Sequence, residues 1–149
     1  MSDLELAKQE FIAKQLSLVI VNQGAILHKQ SATRLLPLLK ALSAIQGAAQ
    51  GCCVADKVIG RAAAMLLITF GVKAIYTPIM SDGARLLLTQ ANIELDVDQF
   101  VPHILDPSGE NLCFMEQMVQ TITDPVVGSE ALITFFVEKG LFVSASNAI

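Results

Sequence analysis

The sequence has no tryptophan, one tyrosine and two histidines in 149 residues. Charged residues make up only 16% of it. Each scarcity excludes something. With two histidines, His28 and His103, a Ser-His-Asp triad has almost nothing to draw on. Neither histidine stands at zinc-ligand spacing from a cysteine. The three cysteines, Cys52, Cys53 and Cys113, are an odd number with one adjacent pair, which is no disulfide framework. They fit thiols packed in or near a core in a reducing compartment. Without a basic cluster or an aromatic RNA-binding motif, nucleic acid is not an expected partner. The phosphate-loop, dinucleotide, nucleophile-elbow and zinc-protease fingerprints are all missing.

What is present is apolar. Hydrophobic residues make up 53% of the chain, which excludes disorder and raises the question of a membrane. The charges answer it. The longest uncharged stretch, residues 41–55, has 15 residues and contains serine, glutamine and glycine. A membrane helix needs about 20 apolar residues. The start, Met-Ser-Asp-Leu-Glu, lacks the basic and apolar regions of a signal peptide. A cytoplasmic protein of one domain, residues 1–149, is expected. Charge is also unevenly placed. Residues 1–93 carry a net charge of +4 and residues 94–149 a net charge of −8, with Lys139 the single cation of that second part. This reads either as a solvated acidic face or as a contrast that orients a partner.

The pattern along the chain predicts alternating elements. Ser2 and Glu5 form a capping box at the start of an N-terminal helix within residues 1–13. Residues 16–21 and 25–29, joined by Asn22-Gln23-Gly24, read as a β-hairpin. Residues 35–45 read as a helix with Pro37 in its first turn. Residues 47–51 read as a loop and 52–55 as a short apolar segment. Asp56 reads as the N-cap of a helix over residues 57–70, closed by Gly71. Residues 73–80 are a predicted strand, and Ser81 caps a helix to Ala91. Residues 99–105 are predicted as an edge strand, since Pro102 is unsuited to a central one. A helix over 113–122, a last helix capped by Ser129 and a possible closing strand over 141–144 complete the region. The fold class implied is α/β, a three-layer α-β-α sandwich with a mixed sheet of about five strands.

Two segments could carry chemistry. The first is Ala55 to Ala64, where a helix start presents free N–H groups, as anion sites do. Asp56, Lys57 and Arg61 set charge beside those donors, and Gly60 allows close approach of backbone or ligand. A plain capped helix packed on a sheet explains the same residues. The second is Gly109 to Glu116, where Cys113 and Glu116 share a helical face. A thiol at a helix start can gain thiolate character, although a neighbouring carboxylate opposes it. A buried cysteine beside a surface glutamate is the simpler reading.

These residues carry a resemblance. Pro37-Leu38-Leu39, Ala55 to Ala64, Ile75-Tyr76, Ser81, and Cys113 with Met115 and Glu116 resemble an uncharacterised prokaryotic family with a cytidine-deaminase-like fold, the domain of unknown function 1893. The likeness spans residues 14–140. The chain departs from the family pattern at Glu110-Asn111 and at Phe114, where proline is usual. The resemblance implies a cytidine-deaminase-like fold in which zinc enzymes open one helix with H-x-E and the next with P-C-x-x-C. Here those places read Asp56-Lys57-Val58 and Ser81-Asp82-Gly83-Ala84, and valine cannot move a proton. No metal, cofactor or hydrolytic deamination is expected. The leading expectation is binding of a small anionic or nucleotide-like ligand by Asp56, Lys57, Gly60, Arg61, Ser81, Cys113, Met115 and Glu116. One alternative is a thiol-dependent enzyme or sulfur carrier using Cys113 oriented by Glu116. A relative of the same fold, the formate dehydrogenase accessory protein, is involved in sulfur transfer. Another alternative is a structural subunit that works by assembling, since so apolar a chain suits a homo-oligomer such as a dimer.

Overall fold

The structure is a computed structural model and describes residues 1–32 and 34–143. Helix α1 (Asp3–Ala13) opens with the capping box. Glu5 N donates to Ser2 Oγ at 3.1 Å, and Ser2 N to the Glu5 carboxylate at 3.4 Å. The hairpin follows as β1 (Leu18–Asn22) and β2 (Ala25–Gln30). Its turn is pinned by Asp3, whose two oxygens accept from Gln23 N and Gly24 N at 2.9 Å each. Helix α2 (Leu35–Ile45) has Pro37 in its first turn, where no backbone N–H is missed. Residues Gln46–Ala49 form a single 3-10 turn where the sequence predicts a loop.

The next stretch departs from the sequence reading. Asp56 does not cap a helix. It ends strand β3 (Cys53–Asp56), and Val58–Ile59 form strand β4. Helix α3 (Arg61–Thr69) starts only at Gly60, so Lys57 lies between two strands, not in a helix. Strand β5 (Ala74–Ser81) explains why. Cys53 lies opposite Ala74, and Val58 opposite Ile79, with the same offset throughout. Strand β4 therefore continues the line of β3 past a break at Lys57. Pairing with β5 gives Val58 and Ile59 backbone partners that a helix would also have given. It also buries Ile59 completely.

Ser81 caps helix α4 (Asp82–Gln90) as expected, its Oγ accepting from Ala84 N at 3.1 Å. Strand β6 (Glu94–Val101) begins five residues before the predicted strand and ends before Pro102. Helix α5 (Phe114–Val119) is shorter than predicted. The last helix, α6 (Pro125–Glu138), is capped by Asp124, not by Ser129. Ser129 is buried inside it, with Thr69 Oγ1 2.7 Å from its hydroxyl. Residues 141–143 form no strand, and Ser144 lies outside the described residues.

The sheet is mixed, in the order β2-β1-β3-β5, with β4 and β6 both pairing β5. The β1 pairings are antiparallel and those of β5 parallel. Six strands are thus named among the described residues, but β3 and β4 share one line. Strand alternation separates two cores. Leu18, Ile20, Val54, Ile75 and Met80 face α2 to α6, while Val19, Val21, Ala55 and Tyr76 face α1. The second face has α1 as its cover. Phe11 meets the Tyr76 ring edge-on, with centroids 5.7 Å apart. Lys8 lies over the same ring and pairs with Asp96 at 2.9 Å. Tyr76 donates to Asp98 at 2.6 Å, so the acidic residues of β6 serve to hold α1 and the sheet together.

Phe11→Ala should therefore cost about 3–4 kcal/mol in urea unfolding, as for other buried phenylalanines. A loss under about 1 kcal/mol would show that α1 does not hold this face.

Candidate functional site

A cavity of about 790 Å³ opens between the start of α2, the β3–β4 break, the start of α3 and the α5 segment. Asp56, Lys57, Gly60, Cys113, Met115 and Glu116 all line it. Arg61 and Ser81 do not. Exposure falls from mouth to floor. Arg34, Lys57 and Phe114 are exposed, Asp56, Cys113 and Met115 half-buried, and Leu38, Ala62 and Glu116 buried. The walls are largely apolar, with Leu35, Leu36, Ile104 and Phe136 among them.

Glu116 sets the floor. Its two carboxylate oxygens accept from Arg61 N and Ala62 N, each at 2.7 Å. These are the first two N–H groups of α3, which lack partners within a helix. The negative charge also sits where the helix dipole favours it. Two of the free donors expected at this helix start for an anion are thus already taken by the protein itself. Gly60 is required here for space. A Cβ on it would collide with the Glu116 carboxylate.

Arg61 completes the joint in the opposite direction. Its Nε donates to Val119 O at 3.2 Å, and its terminal nitrogen to Ile122 O. The last carbonyl of α5, and that of Ile122 just beyond it, are thereby satisfied by a cation, as helix ends prefer. Arg61 is therefore engaged with backbone and does not face the cavity as a ligand group. Ser81 is likewise occupied with its own helix, 3% exposed.

Asp56 is different. Its Oδ1 accepts from Lys57 N at 2.8 Å, and among the described residues Oδ2 has no protein donor. Burial pushes its carboxyl up to about 7, and the Lys57 N–H only partly offsets that. The cationic residues lining the cavity, Lys57 and Arg34, are both exposed. Arg34 itself precedes α2 with φ of 101°, a left-handed value that a side chain rarely adopts.

Cys113 precedes α5 and is half-buried on the cavity wall. Its N–H donates to Ile104 O at 3.0 Å. The Glu116 carboxylate is held by α3. Cys52 and Cys53 are buried, and burial raises the Cys52 thiol to about 12. Among the described residues, no three His, Cys, Asp or Glu side chains gather as a metal-ligand set. No helix among them is long and apolar enough to cross a membrane.

A family model described as a domain of unknown function (DUF1893) matches residues 6–136. The chain belongs to the DUF1893 family. The crystal structure of a DUF1893 family protein from Thermotoga maritima superposes on it with a TM-score of 0.81. The two are 23% identical, and the match covers 91% of this chain and 92% of the other. At that identity the likeness shows a shared fold. No curated protein matches the chain. DUF1893 membership thus establishes the α/β architecture without bringing an activity.

Two measurements test this geometry. Gly60→Ala should cost about 2–3 kcal/mol by overpacking, and Glu116→Ala about 1–3 kcal/mol by freeing two N–H groups. The double variant should be hardly less stable than Glu116→Ala alone, because the carboxylate is what the added methyl would strike. Additive losses would show that the two residues do not meet. The Asp56 carboxyl gives a pH test. A folded carboxyl raised above its unfolded value of 3.8 loses stability as pH rises towards 7, because only the unfolded chain ionises freely there. Asp56→Asn removes this loss. Between about pH 4.5 and 7.5 stability should shift in favour of the variant by about 2 kcal/mol, after allowance for solvent screening. Parallel pH profiles would contradict it.

Proposed function

We propose that this protein is a deaminase-fold member without zinc chemistry, and that it binds a small anionic or nucleotide-like ligand in the cavity between α2, α3 and α5. The observation that carries this reading is the polarity of the cavity. One carboxylate, Asp56, stands half-buried with an oxygen that has no donor among the described residues, and two exposed cationic residues, Lys57 and Arg34, border the same cavity. Apolar walls with a few placed polar groups, in a volume of about 790 Å³, are what small-molecule sites have. A flat ring suits the walls, and an anionic group suits the mouth.

The residue types at the two helix starts support a role without zinc. The first helix opens Gly60-Arg61-Ala62-Ala63 and the second Ser81-Asp82-Gly83-Ala84. Neither contains histidine or cysteine, the ligands that a zinc deaminase needs there. At the first start the space is filled by the Glu116 carboxylate.

Thermal-shift screening of nucleotides and phosphorylated metabolites is the direct test. At least one should raise Tm by about 2 °C or more at millimolar concentration, by mass action on the folded state. Lys57→Glu, a change at an exposed position, should abolish the shift for an anionic hit. A complete screen without stabilisation would overturn the reading. Elemental analysis of purified protein should show far less than one zinc per chain, and one zinc per chain would refute the zinc-free part.

A further inference from the structure

We infer that Asp56 selects the ligand, its free oxygen accepting a hydrogen bond from an N–H donor on an amino-bearing heterocycle whose anionic end stays at the mouth. The inference rests on the proposed binding role and specifies which end of the ligand goes in. At the floor of the cavity stands the Glu116 carboxylate, which already holds the N–H groups of Arg61 and Ala62 at 2.7 Å each. An anion placed at the floor would meet that carboxylate instead of free donors. The cationic residues lining the cavity are Lys57 and Arg34, and both are exposed. The ligand is thereby oriented with negative charge outward and N–H inward.

Asp56 suits the inward contact. The backbone fixes its carboxylate, because the N–H of Lys57, at the break between β3 and β4, donates to Oδ1 and leaves Oδ2 open. The break itself is held from the other side, where Lys57 N also donates to Ser17 O at 3.1 Å. A heterocycle without N–H would leave Oδ2 desolvated and unpaired, which is costly. A site built around one such acceptor rejects an analogue lacking the donor.

A pH dependence follows. The ionisable groups around the cavity are Lys57 on its own strand line, Arg34 before α2, Asp106 and Cys113 before α5, and Glu116 on α5. Among them Asp56 is the carboxyl that burial holds near neutrality, up to about 7. A donor on the ligand favours the ionised form, so binding below neutrality expels a proton from Asp56.

Titration calorimetry with matched probes decides it. Adenosine and guanosine 5′-monophosphates carry N–H donors on the base, and purine riboside 5′-monophosphate carries none. At least one of the first two should bind at least tenfold tighter than the third. That preference should collapse in Asp56→Ala, which should bind purine riboside 5′-monophosphate more tightly than the wild type because no acceptor is left unpaired. At pH 6, where the probe's own phosphate also titrates, binding heats in buffers of different ionisation enthalpy should reveal more proton release by the wild type than by Asp56→Asn, and equal release overturns the inference. Equal affinity for all three probes, or a preference that survives Asp56→Ala, overturns the selection by Asp56 and leaves the binding role standing. Failure of every probe to bind the wild type overturns both.

Discussion

The Glu116 carboxylate on the first two N–H groups of α3 is the contact from which the rest of the site is built. It joins residues 55 positions apart in sequence. Through it α5 is locked over the start of α3, and Arg61 returns the lock by holding the carbonyls at the end of α5. Each helix end thus supplies the charge that the other lacks. Gly60 is the steric condition, since any side chain there would occupy the carboxylate's place. The cavity floor and its wall of Cys113 and Met115 follow from this one joint.

The same joint gives the charged residues distinct roles. Glu116 and Arg61 are structural and meet backbone groups. Asp56 is left with an open oxygen in a region that disfavours its ionisation. Lys57, next to it in sequence, is exposed, and it borders both the cavity and a recess beside Phe11 and Leu16. In a chain with so few charges, function and fold draw on neighbouring residues, and only the contacts distinguish them.

Much of the fold is legible locally. The capping box at Ser2 and Glu5, the hairpin turn at Asn22-Gln23-Gly24, the cap at Ser81 and the stop at Gly71 all form where local chemistry places them. Each depends on residues within a few positions of one another. Strand β6 is harder to see, because Glu94, Asp96 and Asp98 read as solvated charge. Their alternation with Leu95 and Val97 marks a half-buried edge strand, and it becomes meaningful only when Lys8 and Tyr76 are seen opposite the acids. At α6, the sequence reads Ser129 as the cap. In the fold Asp124 caps the helix, and Pro125 starts it, where its lost N–H is harmless.

The sequence by itself determined the α/β class, the apolar core and the short group of polar residues worth attention. Six of those residues line one cavity, and the other two hold helix ends. Only the tertiary structure decided where α3 begins. Asp56 followed by an apolar run has the local pattern of a helix cap. Pairing of Val58 and Ile59 with Ile79 and Met80 draws that stretch into the sheet instead. The true cap comes from Glu116, far along the chain, so no local pattern could signal it. Local patterns report contacts between near neighbours, whereas this site is made of contacts that exist only once the strands have paired.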